Sequence, residues 1–472
     1  MGFFISFFRF GQGTLRGGGE IGLRILGHCA IPYIEHIIDI RFGRLASRPI
    51  HVQWRWWMDG IIVRQGALKA LDWVLKEKRL LAHLPEDVTL APPDRARVAR
   101  LTRLVLRHLG PADMVLRAHL NRPPPWPVQM VLRLATVEIL VTGAASHGVV
   151  NSAVHIVKTN RKMSRHSGLV NAVLRRVVTE GSTHWQSLPP QRLPAWIGRE
   201  VKKHFGPQAL RAIERAHAQG APLDITPKYP NNTLPEAQIL PTGGLRLPGG
   251  RQVSALPGYA DGTWWVQDAA AALPVRLLGD VAGQQVLDLC AAPGGKTMQL
   301  AAAGADVTAV DISPSRMDQL RTNLRRTGLN ATLLTEDALS HRGTYNAVVL
   351  DAPCSATGTI RRHPDLPFVK SARDVEPLTR LQMHLIDHAI TLVRPGGRFV
   401  YCTCSLLPVE GEFQIKAALA RHSTLSLMPL DPTCHGGEPE WRSPHGGLRL
   451  RPDFWAEWGG MDGFYIAILE VG

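Results

Sequence analysis

Asp288-Leu289-Cys290-Ala291-Ala292-Pro293-Gly294-Gly295-Lys296-Thr297 is a glycine-rich turn that follows directly on an apolar run. Val286–Cys290 reads as a strand, and residues 295–303 as the helix that leaves the turn. A strand, a tight turn and a helix make the opening unit of an α/β sheet, in which ligands sit beyond the carboxyl ends of the strands. The same grammar repeats downstream. Residues 306–311, 331–335, 346–351 and 398–403 read as strands, and residues 313–327, 378–393 and 408–420 as helices. Alternation of this kind predicts a mostly parallel, doubly wound sheet, closed by a final strand at Gly463–Leu469.

The turn carries chemistry as well as shape. Gly294 and Gly295 let the backbone approach a ligand closely, because no side chain intervenes. The spacing is not G-x-G-x-x-G, which disfavours a nicotinamide dinucleotide. Gly295-Lys296-Thr297 lacks the leading glycine of a phosphate-binding P-loop. Asp311 ends the second strand, where a carboxylate accepts from ribose hydroxyls. Asp337 ends the third, where an acid can take an adenine amino proton, and Asp351 ends the fourth. This series of acids fits S-adenosyl-L-methionine.

Two thiols follow, each at a strand end: Cys354 in Asp351-Ala352-Pro353-Cys354 and Cys404 in Tyr401-Cys402-Thr403-Cys404-Ser405. Carbon 5 of cytosine is a poor nucleophile until another nucleophile adds at carbon 6, and a thiolate suits that addition. The adduct must then lose the carbon 5 proton and expel the thiolate, a step that a second group can assist as general base. Cys402 is expected to pack in the core, and Cys404, at the strand end, to face the pocket. No His/Cys set at zinc spacing accompanies them, so no metal is expected. Cys29 and Cys434 have no assigned role, and six cysteines without regular spacing fit a reducing compartment.

Upstream, residues 61–218 are helical in pattern. Val63, Ala67, Leu71 and Val74 recur at helical spacing, and so do Val98, Leu101, Val105 and Leu109. Arg95, Arg97, Arg100, Arg103 and Arg107 lie among the second set. Residues 128–142, 151–160 and 167–179 read as further helices, with loops at Pro123–Pro125 and from Gly181 to Pro190. Residues 58–220 carry 25 Lys/Arg against 11 Asp/Glu, whereas residues 221–472 carry 22 against 25. A basic module on a near-neutral one points to a polyanionic partner such as RNA. Within it, Ser167-Gly168-Leu169-Val170-Asn171-Ala172-Val173-Leu174-Arg175-Arg176 resembles a helix of the NusB-like RNA-binding domain.

Residues 221–262, rich in Pro and Gly, read as a linker or small α/β subdomain. Trp264-Trp265-Val266-Gln267-Asp268 then leads into a helix ending near Leu278. In the first 57 residues, Met1-Gly2-Phe3-Phe4-Ile5-Ser6 matches a myristoylation pattern, taken as a chance match. Residues 22–40 are interrupted by Arg24, His28, Glu35 and Asp39, so no membrane span is expected. This segment reads as a disordered extension or a misplaced start before Met58.

The run Asp351-Ala352-Pro353-Cys354-Ser355-Ala356-Thr357-Gly358-Thr359-Ile360-Arg361-Arg362-His363-Pro364-Asp365 resembles the signature of bacterial ribosomal RNA cytosine-5 methyltransferases of the RsmB (Fmu/Sun) family. Cys290–Lys296 and Thr403-Cys404-Ser405 do so as well. The resemblance implies an all-α NusB-like bundle followed by an α/β Rossmann-like methyltransferase domain. The expected division is 1–57 extension, 58–205 helical RNA-binding domain, 206–263 linker or small subdomain, and 264–472 catalytic domain. It implies methylation of a cytosine in small-subunit ribosomal RNA, with Cys404 as nucleophile, Cys354 in product release and Asp351 in the catalytic set. Cys290, Ala291, Ala292, Pro293, Gly294, Gly295, Lys296, Asp311, Asp337 and Asp351 would hold S-adenosyl-L-methionine. Arg361, Arg362 and His363 would lie near the RNA, together with Arg175 and Arg176 of the helical domain. A cytoplasmic monomer is expected. Met461-Asp462-Gly463 departs from the family's usual Gly-Asp-Gly. A cytosine-5 methyltransferase of transfer RNA or another RNA site, and a non-catalytic RNA-binding assembly factor, are the competing readings.

Overall fold

The computed structural model describes residues 60–472, and the backbone of residues 50–59, Leu23–Arg24 (β1) and Asp39–Ile40 (β2). β1 and β2 pair antiparallel within a unit of residues 1–58, separate from the unit 59–472. The expectation of a disordered or misassigned segment over 1–57 falls almost entirely outside the described residues.

Residues 50–219 are helical: α1 (Ile50–Leu75), α2 (Pro92–Arg107), α3 (Leu109–Ala118), α4 (Trp126–Thr142), α5 (Ser146–Thr159), α6 (Ser167–Ser187) and α7 (Ala195–Gln219). The apolar stripes read from sequence face one another: Ala67, Leu71 and Val74 of α1 pack with Val105, Leu106 and Met130. Arg64 reaches from α1 to Glu138 on α4 (Nε–Oε2 2.9 Å), and Arg133 grips Asp113 of α3 with two hydrogen bonds of 2.6 and 2.7 Å.

One expectation changes here. Helix α6 runs through Gly181 to Ser187 rather than stopping at residue 179. A Cβ at Gly181 would lie 3.1 Å from Leu140 Cδ2, so the missing side chain brings α6 close to α4 instead of breaking the helix. Helix α7 consists of two helical segments that meet in a kink at Gly206, which takes φ +86° with Pro207 following.

Residues 223–266 form a four-stranded antiparallel sheet, not an α/β element: β3 (Leu223–Pro227), β4 (Gln238–Ile239), β5 (Leu245–Leu247) and β6 (Trp264–Val266), in the order β4-β5-β3-β6. Trp264 closes its apolar side.

After α8 (Ala269–Leu278) comes the large sheet. It holds β7 (Gln285–Leu289), β8 (Asp306–Asp311), β9 (Thr332–Thr335), β10 (Tyr345–Asp351), β11 (Val393–Thr403), β12 (Leu425–Leu427), β13 (Leu448–Leu450) and β14 (Phe464–Val471). The order is β12-β14-β11-β10-β7-β8-β9, with β13 also on β14. Strands β7 to β11 are parallel, and β12 to β14 add an antiparallel edge. Chain order reverses between β7 and β10, which makes the crevice above their carboxyl ends the place for a ligand. Helices α9 (Gly295–Ala302), α10 (Pro314–Thr327), α11 (Leu366–Val369), α12 (Val375–Thr391) and α13 (Glu412–Arg421) complete the domain. The central strands are buried on both faces: Leu287, Val348 and Phe399 enter one core cluster, and Val286, Val349 and Val400 the other.

Candidate active site

The glycine turn leaves β7 with Cys290 at φ +59° and reaches Gly294 at φ +103°. A Cβ at Gly294 would fall 2.0 Å from Leu320 Cδ1, so only glycine fits. Asp311 is buried and accepts from the Ala292 N–H (3.1 Å) and the Ser313 N–H (3.0 Å), which ties β8 to the turn. Arg316 adds an ion pair at 3.5 Å. Lys296 Nζ donates to Asp351 Oδ2 at 2.7 Å. Burial works against that ammonium, but Asp351 outweighs it and holds the lysine above its ordinary range. Asp288 is fully buried and accepts from the Thr297 hydroxyl at 2.6 Å, while its Oδ1 has no partner. Burial pushes its carboxyl up to about 7. Burial and the nearby Asp311 carboxylate push the Cys290 thiol up to about 12.

A cavity of about 490 Å3 opens between this turn and the small sheet. Ala291, Ala292, Pro293, Gly295, Lys296 and Asp351 line it, and so do Asp288, Arg362 and His363. Cys290, Gly294 and Asp311 lie beneath or beside it rather than on its wall. Asp337 is exposed at the end of β9, off the cavity wall, and accepts from the Leu339 N–H at 3.0 Å.

The thiols meet. Cys354 follows β10, Cys404 follows β11, and their Sγ atoms are 3.5 Å apart. In-register pairing of Asp351 with Cys402 sets the two strand ends side by side. Cys402 is buried, its Sγ 3.8 Å from Asp351 Oδ1, whereas Cys404 is half-buried. The Gly358 N–H donates to the Cys404 carbonyl at 2.9 Å, and a Cβ at Gly358 would lie 1.9 Å from the Gly463 oxygen. The hydrogen bond to Cys404, together with burial, holds the Cys354 thiol well above its ordinary range.

One residue of this site was not anticipated from sequence. Glu410 is fully buried beneath both thiols. Its carboxylate accepts from the Ser355 N–H (2.8 Å), the Ser355 hydroxyl (2.5 Å) and the Ser405 hydroxyl (2.6 Å). It anchors the residue after each cysteine. An acid in a short apolar stretch before a helix gives no local hint of this, although its place six residues after Cys404 is a usable signal.

The 16S rRNA methyltransferase RsmB/F family model matches residues 275–470, and the NusB family model matches residues 62–179. The ribosomal RNA small subunit methyltransferase B of Salmonella arizonae is 32% identical over 412 residues, covering 77% of this chain and 91% of its own.

The chain belongs to the RsmB/F family.

The Shigella flexneri member, also a ribosomal RNA small subunit methyltransferase B, is 31% identical over 454 residues, covering 86% of this chain and 98% of its own. Among solved structures, PH0851 covers 85% of this chain and 98% of its own with a TM-score of 0.63 and 22% identity. NSun6 from Pyrococcus horikoshii, solved with SFG, covers 59% and 98% with a TM-score of 0.51 and 18% identity. These two likenesses are of fold.

As an RsmB/F member the protein is an S-adenosyl-L-methionine-dependent ribosomal RNA methyltransferase. The cavity offers acceptors to a cationic sulfonium and amino group: the Asp351 carboxylate lines it, and so does Asp288, whose buried Oδ1 lacks a partner. Among the described residues no group of His, Cys, Asp and Glu could hold a metal ion, and no helix is long and apolar enough to cross a membrane.

The expected RNA-facing residues divide. Arg175 and Arg176 are exposed on α6. Arg361 is not a surface residue: it is fully buried, donating to Asp268 and Asp462 at 2.7 Å each and to the Gly459 carbonyl at 2.9 Å. Buried carboxylates drew the guanidinium inward, so it cannot reach RNA. Burial pushes Asp268 up, but Arg362 and Arg361 overcome this and hold it below its usual range. Arg362 bonds Asp462 at 3.0 Å and also Asp268, yet it reaches the cavity beside His363.

The loop from 354 to 369 touches both halves of the chain. Arg107 Nη2 of α2 donates to the Arg361 carbonyl (2.8 Å), and the Leu81 N–H donates to Asp365 (2.9 Å). Ile360 and Leu366 pack with Ile197, Val201 and Ile213 of α7 and with Leu406 beyond Cys404.

Proposed function

We propose that the enzyme methylates carbon 5 of a cytosine in small-subunit ribosomal RNA through a covalent Cys404–cytosine adduct. The observation that carries this is the pair of thiols 3.5 Å apart at adjacent strand ends, with Cys354 three residues beyond Asp351, which lines the cavity. Cys404, as thiolate, adds to carbon 6, and the electron pair moves to carbon 5. Bound S-adenosyl-L-methionine supplies the methyl group that carbon 5 takes. The carbon 5 proton then leaves to water, the C–H electron pair re-forms the carbon 5–carbon 6 double bond, and the carbon 6–sulfur bond breaks with its pair leaving on Cys404 as thiolate. Cys354 assists this release, and its raised thiol favours the protonated form that can share a proton with Cys404.

Asp288, Lys296, Asp351 and the backbone of Ala291–Gly295 would hold the cofactor, with Cys290 and Asp311 shaping the turn and Asp337, beyond β9, at the adenine edge. We assign residues 58–205 to RNA binding, with Arg175 and Arg176 on phosphates and Arg362 and His363 at the target base. Residues 264–472 are assigned to catalysis, and the enzyme to a cytoplasmic monomer.

The test is methyl transfer from labelled S-adenosyl-L-methionine to small-subunit ribosomal RNA and to transfer RNA. Ribosomal RNA methylation lost in Cys404→Ala, with a protein–RNA adduct trapped in Cys354→Ala on denaturing gels, is the expected result. Full methylation by Cys404→Ala would exclude the covalent route, and methylation of transfer RNA alone would exclude the substrate.

A further inference from the structure

The helical domain contains a cleft of about 700 Å3 between the segment joining α3 to α4 and the beginning of α6. That volume falls in the range of roughly 300–1,000 Å3 typical of small-ligand sites. Its apolar lining includes Pro124, which is buried, and Leu169, which is 39% exposed. Its rim carries Arg122, Arg165 and Arg176, all exposed, and no carboxylate lines it. The Arg122 and Arg176 side chains have no ion-pair partner among the described residues, and Arg165 bonds only the neighbouring His166 ring, at 3.2 Å.

His119 is the informative member. Its side chain is 4% exposed, it lines the cleft, and its Nε2 is buried with no hydrogen-bond partner. Its Nδ1 has only a distant carboxylate, Glu180, at 4.0 Å. A buried polar atom left unpaired destabilises the protein, and a ligand that supplies the partner removes that cost.

We propose that this cleft takes one unstacked nucleotide of the ribosomal RNA. The base lies against Pro124 and Leu169 and bonds His119 Nε2, while the flanking phosphates sit on Arg122, Arg165 and Arg176. The inference rests on the assignment of the helical domain to RNA binding. Three cations around an apolar slot match the chemistry of a nucleotide within a strand: phosphates on either side, an apolar face and a polar edge between them. Double-stranded RNA keeps its base faces stacked and cannot fill the slot. The segment recognised is therefore single-stranded, in a loop, a bulge or an unfolded region.

The experiment uses the full chain and fluorescein-labelled RNA pentamers of mixed sequence, with an abasic pentamer as control, followed by anisotropy across a salt series. Leu169→Trp and Ala172→Phe, both at positions of α6 that line the cleft, plug it without changing charge. The expected result is affinity lower by about tenfold for the normal pentamer in both variants, equivalent to ~1.4 kcal/mol. The salt slope should stay unchanged, because every phosphate keeps its cation. The abasic pentamer should bind the variants as it binds wild type. Wild-type affinity in both variants overturns the cleft, and an equal loss for both pentamers overturns the base slot in favour of a backbone groove. Charge reversal at Arg175 and Arg176 is run in parallel. If it weakens binding while the plugs do not, the cleft fails and the RNA-binding assignment stands. If it too has no effect, the assignment itself fails.

Discussion

The Sγ atoms of Cys354 and Cys404 lie 3.5 Å apart across a sequence separation of 50 residues. Two thiols at this distance share one proton's worth of hydrogen bonding, so the state of one depends on the other. The Gly358 N–H, four residues beyond Cys354, also donates to the Cys404 carbonyl, so backbone and side chains hold the same pairing.

Removing Cys404 should therefore change Cys354. The hydrogen bond to Cys404 is the largest cause of its raised thiol. In Cys404→Ala that cause is gone, the thiol moves back toward its ordinary value, and the thiolate fraction near pH 8 rises. Iodoacetamide should alkylate Cys354 faster at pH 8 in Cys404→Ala than in wild type, with the rate–pH profile displaced to lower pH. An unchanged profile, read by mass spectrometry of the Cys354 peptide, would remove the coupling.

Glu410 is expected to act as a positioning residue. Glu410→Ala strands the buried Ser355 N–H, while the Ser355, Thr357 and Ser405 hydroxyls, 3.2–3.3 Å apart, re-pair among themselves. The cost is about 1–3 kcal/mol in urea unfolding. With both cysteine turns loosened, kcat should fall roughly 100-fold at an unchanged KM for the cofactor. Glu410→Gln, which keeps an acceptor for that N–H, should recover most of kcat.

Asp288 makes stability depend on pH. Its carboxyl is raised from an ordinary 3.8 to about 7 in the folded protein. Between those values the unfolded chain is ionised while the folded chain retains the proton. Stability is thus fully present below about pH 4 and declines as pH rises toward 7, by up to ~1.4 kcal/mol per pH unit. Asp288→Asn removes the dependence. Thermal midpoints of the two proteins should diverge from pH 4.5 to pH 7.5, with wild type falling relative to the variant; parallel curves would show that Asp288 stays ionised.

Arg361 and Arg175 should fail in opposite ways. Arg361→Met leaves Asp268 and Asp462 with less compensation in the interior and should cost about 3–5 kcal/mol in denaturant unfolding. Arg175→Glu with Arg176→Glu should leave stability within ~0.5 kcal/mol. The same pair should weaken RNA binding and flatten its salt slope by about one for each phosphate no longer neutralised.

What the sequence made legible was local. The glycine turn, the five parallel strands and the strand-end cysteines follow from apolar runs and turn residues a few positions apart; β7 to β10 begin and end within a residue of those expected, whereas β11 starts at Val393 rather than 398, and β12 and β13 were not anticipated. What stayed hidden depends on distance along the chain. Arg361 reads as an exposed loop cation until Asp268, 93 residues before it, and Asp462, 101 after it, are seen to enclose it. Glu410 reads as a solvated helix-start acid until Ser355 folds onto it from 55 residues away. The small sheet escaped because strands of two to five residues carry too little alternation to show a period. Gly181 reads as a breaker because its neighbour, Leu140, belongs to another helix.

The loop from 354 to 369 is held at both ends. One end holds Cys354 against Cys404, and the other is pinned by Arg107, Leu81 and the apolar residues of α7. A truncated protein beginning after α7 would open Ile360, Leu366 and Leu406 to water and leave the Arg361 carbonyl without its donor. Trimming the chain to a minimal catalyst would dismantle the catalyst. Two hydrogen bonds and one apolar cluster fasten the bundle to the turn that carries Cys354, so the two modules share a seam and not merely a chain.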